Sequence, residues 1–150
     1  MARTAHTPGL INIEPFIPAL LKYFANNNDI TAAYLYGSYG TGAQTPLSDV
    51  DLGILLTQGV KRTLIKQMEI ESDIAGICRN DDINVLILND GPVLLQFKVI
   101  STGRLLYERD PHTVNNFQEI VCKRYADFMP DYLEFCREYD RALREDYLDG

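Results

Sequence analysis

Cysteine is scarce in this chain. The three present, Cys78, Cys122 and Cys136, stand far apart, with no C-x-x-C spacing and no histidine paired with them. An odd, unpaired count excludes a disulfide framework and gives no zinc-ligand pattern. Cys122 and Cys136 fall on apolar helical stripes, so a place in the core is expected for both. Long hydrophobic runs are also missing. None approaches the ~20 residues of a membrane span, and the opening eight residues, MARTAHTP, hold no apolar stretch suited to a signal peptide. The expectation is a cytoplasmic protein with no membrane partner. Positive charge is short as well, with 14 Lys and Arg against 21 Asp and Glu and a net charge of −7. Nonspecific nucleic-acid binding needs clustered Lys and Arg, so that class is disfavoured. From Asp131 onward seven acids face three arginines, which reads as a solvated helix face or a surface for a basic partner. No repeat, low-complexity tract or linker divides the chain. It is expected to form a single domain over 1–150, with 111–148 as a C-terminal helical extension.

What is present is concentrated between residues 30 and 56. An apolar run ends in Tyr36-Gly37-Ser38-Tyr39-Gly40-Thr41-Gly42, and a second run begins Ser48-Asp49-Val50-Asp51. The pattern predicts strand, glycine-rich turn, connection, strand. Side chains on a strand alternate faces, so Asp49 and Asp51 point the same way, their Cα atoms about 6.5–7 Å apart. Two carboxylates on one face repel unless a cation lies between them. Oxygen-only ligands suit Mg²⁺ or Mn²⁺, and Mg²⁺ commonly combines one or two carboxylates with substrate phosphates. Gly37, Gly40 and Gly42 permit backbone conformations and close ligand approach that other residues resist. Exposed N–H groups of such a turn can cradle phosphate, and Ser38 adds a hydroxyl donor. Together these features point to nucleoside triphosphate chemistry. Either half alone reads as ordinary loop and strand, and their spacing is what carries the argument.

Gly37-Ser38, ten residues, then Asp49-x-Asp51 resembles the GS-x10-D-x-D signature of the minimal nucleotidyltransferases (MNT) of the DNA polymerase β-like superfamily. The later run Gly103-Arg104-Leu105-Leu106-Tyr107-Glu108-Arg109-Asp110 is also similar to that family. The resemblance implies transfer of a nucleoside monophosphate from ATP to an acceptor, with Gly37 and Ser38 holding nucleotide and Asp49 and Asp51 holding Mg²⁺. A third carboxylate on a neighbouring strand is implied too. Asn84 stands at that place, and an amide brings no charge and cannot act as a base. Asp82, two residues earlier on the same strand face, is the candidate replacement. Alternatively, two aspartates suffice because the acceptor is a phenol, which ionises near pH 10. The third reading is a degenerate site. Stand-alone MNT proteins include antitoxins that adenylylate a tyrosine on a helical HEPN-domain toxin, so such a toxin is the implied partner. The alternative is a catalytically degenerate antitoxin or regulatory subunit that acts by binding.

Elsewhere, periodicity predicts helices over 13–27, 61–78 and 93–101 and strands over 30–36, 49–56, 82–88 and 104–108, the last added at a sheet edge. In the second helix Leu64, Ile65, Met68, Ile74, Ala75 and Cys78 are expected to share the buried side. Lys61, Arg62 and Lys66 at its start either reach a triphosphate or are surface charges. Two closing helices, carrying Val114, Phe117, Val121, Tyr125 and Phe128 and then Tyr132, Phe135, Cys136, Tyr139, Ala142 and Leu143, are expected to be broken at Met129-Pro130. The fold class expected is α/β (α+β): a small mixed twisted sheet flanked by helices, nucleotidyltransferase-like, with a C-terminal helical pair.

Overall fold

A computed structural model describes residues 12–37 and 50–149, with side chains described as far as residue 145. A 3₁₀ turn at Glu14–Phe16 leads into α1 (Ile17–Asn26). There follow β1 (Ile30–Tyr36), β2 (Val50–Leu56), α2 (Leu64–Cys78), β3 (Ile83–Ile87), α3 (Val93–Thr102), β4 (Arg104–Glu108) and α4 (Pro111–Asp149). The four strands form one mixed sheet in the order β3-β2-β1-β4. β1 runs antiparallel to both β2 and β4, and β2 runs parallel to β3. β4 lies at the edge, as predicted.

The two inner strands are apolar on both faces, as burial between helical layers demands. On one face Ala33, Leu35, Val50, Leu52, Ile54 and Leu56 pack with Leu20 and Phe24 of α1 and Ile70, Ile74 and Cys78 of α2. On the other, Ala32, Tyr34 and Leu55 meet Val99 of α3 and Val114 of α4. Gly53 lies on this second face, where a Cβ would come within 3.1–3.3 Å of Val99 and Leu88. The glycine lets α3 sit close to the sheet.

α2 begins three residues later than predicted. Thr63 is its cap, its hydroxyl accepting the Lys66 N–H at 3.1 Å. Arg79 ends the helix in the left-handed conformation (φ 52°). The predicted apolar stripe is out of phase at its start. Leu64, Ile65 and Met68 are exposed, whereas Ile70, Ile74 and Cys78 are buried. The inner face is partly polar because β3 is an edge strand with unpaired backbone groups. Gln67 donates to the Val85 carbonyl at 2.7 Å, and Glu71 accepts the Val85 N–H at 3.0 Å.

The expected helical pair is corrected to a single 39-residue helix, α4, with Pro130 in its interior. Proline removes the bond to the carbonyl four residues earlier. Here that carbonyl belongs to Ala126, and both residues lie on the solvent side, so water can replace the bond and the helix continues. Cys122 and Cys136, expected in the core, are exposed, and of the three cysteines Cys78 alone is buried. Among the described residues, no helix is long and apolar enough to cross a membrane.

Candidate functional site

Three side chains line up across the sheet near one end. Asp51, the second residue of β2, pairs with Tyr36 at the end of β1 and with Asn84 on β3. All three belong to the face covered further along by α3 and α4. The Asn84 amide Nδ2 donates to Asp51 Oδ1 at 3.3 Å. The other carboxylate oxygen, Oδ2, lies against Gly37, just past the end of β1. A Cβ built on Gly37 would be 2.5 Å from it, and Gly37 itself has φ +75°. Any other residue there meets both a strained backbone and a collision with the carboxylate. Two halves of the sequence pattern, 14 positions apart, are thus in direct contact.

Tyr36 is the residue that sequence reasoning missed. Its half-buried phenol is held above the ordinary tyrosine range, first by burial and then by the Asp51 charge. The only signal for it was its place immediately before Gly37-Ser38, on a strand that pairs with the aspartate strand.

Asp82 sits just before β3. Its carbonyl accepts the Val50 N–H at 2.9 Å, so the β2–β3 ladder extends to it, and its own N–H donates to Asn80 Oδ1 at 2.7 Å. Strand alternation therefore sets Asp82 on the Asn84 side, one pleat further toward the sheet end. Asp49, Ser38, Tyr39, Gly40, Gly42 and Ser48 lie outside the described residues.

The arrangement offers hard oxygen donors only: the Asp51 carboxylate, the Asn84 amide oxygen and the Asp82 carboxylate. That set fits Mg²⁺ or Mn²⁺ and not a soft metal. Among the described residues, no three His, Cys, Asp or Glu side chains cluster closely enough to hold a metal. Where a third aspartate would face Asp51 and need a cation to offset repulsion, Asn84 supplies a neutral donor.

Two of the three cations at the start of α2 stand elsewhere. Arg62 makes a two-pronged ion pair with Asp90, and Lys66 Nζ contacts Asp29 Oδ2 at 2.7 Å. Asp29 adjoins Ile30, which pairs with Leu56, five residues along β2 from Asp51. That spacing places the contact about 16 Å from the aspartate. For both residues the surface-charge reading holds.

A family model described as "Polymerase beta, Nucleotidyltransferase" matches residues 19–112. Among solved structures, a toxin–antitoxin crystallised with AMP-PNP superposes with a TM-score of 0.67 at 21% identity, covering 84% of this chain and 97% of the other. A toxin–antitoxin MntA–HpeT mutant with two aspartates, two positions apart, changed to glutamate gives 0.70 at 18%, covering 82% and 97%. A tri-AMPylated Shewanella oneidensis HEPN toxin in complex with MNT antitoxin gives 0.66 at 16%, covering 85% and 98%. No curated protein matches the chain. At these identities the likeness establishes the fold.

Proposed function

Since the chain belongs to the polymerase β nucleotidyltransferase family, we propose that it is an Mg²⁺-dependent adenylyltransferase. It would move AMP from ATP to a tyrosine of a helical HEPN-type partner and act as the antitoxin of that pair, in the cytoplasm. The observation that carries this reading is the seating of Asp51 between Gly37 and Asn84. A carboxylate hydrogen-bonded through one oxygen and closed in by Gly37 beside the other is restrained in orientation when substrate arrives, which is what positioning catalysis needs.

In this reading Asp49 and Asp51 hold the metal, and the turn at Gly37-Ser38 holds the triphosphate. The metal, when bound, offsets charge that develops on the phosphates. The acceptor phenol oxygen forms a bond to the α-phosphorus, the bond from that phosphorus to the bridging oxygen breaks, and pyrophosphate leaves with its electron pair. The phenol proton passes to Asp82 or to water. A phenol ionises near pH 10, so the weak base power of a site with Asn84 in it is less of a handicap than with an alcohol. The structures that carry AMP-PNP and an AMPylated HEPN toxin support the choice of nucleotide and partner.

The test is transfer of labelled AMP from ATP to the product of the neighbouring gene, with Mg²⁺. Label should appear with the unaltered protein and vanish with Asp49→Ala/Asp51→Ala while folding is kept. Unchanged transfer in that double variant rejects the site. Label lost with Asp82→Ala and kept with Asn84→Ala makes Asp82 the third carboxylate; survival of both changes means two aspartates suffice.

One observation favours a second reading. Asn84 already satisfies Asp51 without a cation, as in a site that has given up catalysis. Stable partner binding with no label under any condition would establish a binding antitoxin instead.

A further inference from the structure

α4 carries one apolar seam along its length, and only half of that seam is covered. Tyr125, Tyr132 and Tyr139 recur every seven residues, as do Val121, Phe128 and Phe135 four places earlier. This is the spacing of a seam that packs against another helix. In the first half the seam is filled. Val121 is buried, and Tyr125 stacks on Phe97 of α3 with ring centroids 3.6 Å apart. From residue 131 to 145 every residue is exposed, including Phe135 at 63% and Tyr139 at 59%. These fifteen residues project about 22 Å of helix. Pro130 lies on the opposite side, so the seam runs past it uninterrupted.

The flanks of the seam decide what it fits. One flank carries Asp131, Glu138 and Glu145, all acidic and all exposed. The other carries Met129, Cys136 and Leu143. Of the three arginines in this stretch, Arg137 pairs with Glu134 and Arg144 leans toward Asp140, which leaves Arg141 alone beside Glu138 and Glu145 and the row of three acids still negative. Two copies packed antiparallel would set acidic row against acidic row. Two copies packed parallel would set it against the apolar flank, with no charge to answer it. Either arrangement leaves the row unpaired.

We infer that residues 131–145 form a docking seam for a helix of a different chain, one whose apolar stripe is flanked by Lys and Arg. The inference rests on the proposed function only in supposing that a partner exists, and it holds whether or not AMP is transferred.

The test uses the full chain and two synthetic helices with identical leucine seams, one flanked by lysine and the other by glutamate, measured by fluorescence anisotropy at low salt. The lysine-flanked helix should bind at least about tenfold more tightly, as expected of complementary charge rows beside an apolar contact. Asp131→Lys/Glu138→Lys should abolish that preference, whereas Glu119→Lys/Asp127→Lys, with the same change of net charge away from the seam, should keep it. Phe135→Ser/Tyr139→Ser should remove binding of both helices. Equal binding of the two, loss of preference in the control variant, or no binding of either overturns the inference. So does self-association of the chain that Phe135→Ser/Tyr139→Ser abolishes, which would give the seam to a second copy. Label transfer is read separately: peptide preference without transfer removes the proposed function and leaves the seam, and transfer without peptide preference does the reverse.

Discussion

The two ends of β2 are built on opposite plans. At its C-terminal end the side chains of Thr31, Thr57, Asn89 and Arg109 are tied to structure. Asn89 both donates to and accepts from the Leu56 backbone, at 2.9 and 2.8 Å. Thr57 Oγ1 donates to the Asn28 carbonyl and lies 3.1 Å from Thr31 Oγ1. Arg109 reaches the carbonyls of Phe24, Ala25, Asn27 and Ile30, tying the end of α1 to the start of β1. At the N-terminal end a carboxylate, an amide and a phenol share a partly exposed face, and a glycine is needed to make room for them. Satisfied polar groups at the first end favour rigidity. The second end collects the groups that the proposed reaction would use, on a scaffold that the first end holds.

The contrast is broken most severely at Gly37. Gly37→Val forces a β-branched residue to a positive φ and pushes on Asp51. Transfer, if it is the activity, should fall at least about a hundredfold, the scale expected when a reacting group shifts by an ångström. Melting temperature should change far less than activity, and the two are checked by label transfer and calorimetry. Arg109→Ala does the converse. It removes the guanidinium's hydrogen bonds to four carbonyls at the closed end and should cost about 2 kcal/mol in denaturant unfolding, with transfer intact below the melting transition.

A smaller effect lies under the open end, where Cys78 packs with Val50 and Ile83. Burial pushes its thiol from 9.0 up to about 11. The folded state therefore holds the proton more tightly than the unfolded chain does. The stabilisation is complete below about pH 9, the unfolded value, and is lost as pH rises through 11. Unfolding midpoints should fall across that window, and Cys78→Ala should flatten this part of the slope. Tyr34 and Tyr36, also raised by burial, extend the decline above pH 10. Least of all should follow from Arg62→Ala/Lys66→Ala. The Arg62 pair is exposed and the Lys66 pair partly covered at the closed end, and pairs near the surface contribute little. Both melting temperature and transfer should stay close to those of the unaltered protein; a large loss of transfer would mean that these cations reach the substrate after all.

Much of this was legible in the sequence, and the failures have physical causes. Ile30 to Tyr36 and Arg104 to Glu108 were readable as strands because apolar and β-forming residues there are bounded by polar and glycine breaks. That Gly37 and Asp51 lie side by side was readable from their spacing, though not that the Asp51 carboxylate leaves no room for a Cβ at Gly37. The phase of α2 was misread because Gln67 and Glu71 look like surface residues and in fact serve the free edge of β3. Pro130 was misread as a break because proline is costly where a carbonyl loses its partner in a dry interior, and this one faces water. Cys122 and Cys136 were placed in a core that the second half of α4 does not have.

Arg109 has a bearing on how the chain is made. Its guanidinium contacts the Phe24 and Ile30 carbonyls, which lie 85 and 79 residues earlier, and β1 is flanked on its outer side by β4 alone. The first helix and the first strand therefore cannot be secured until the ribosome has passed the last strand. Contacts this distant slow folding, so the nascent chain should expose the outer edge of β1 for most of its synthesis. A ribosome stalled before residue 109 should display a far more protease-sensitive α1 than the released protein does.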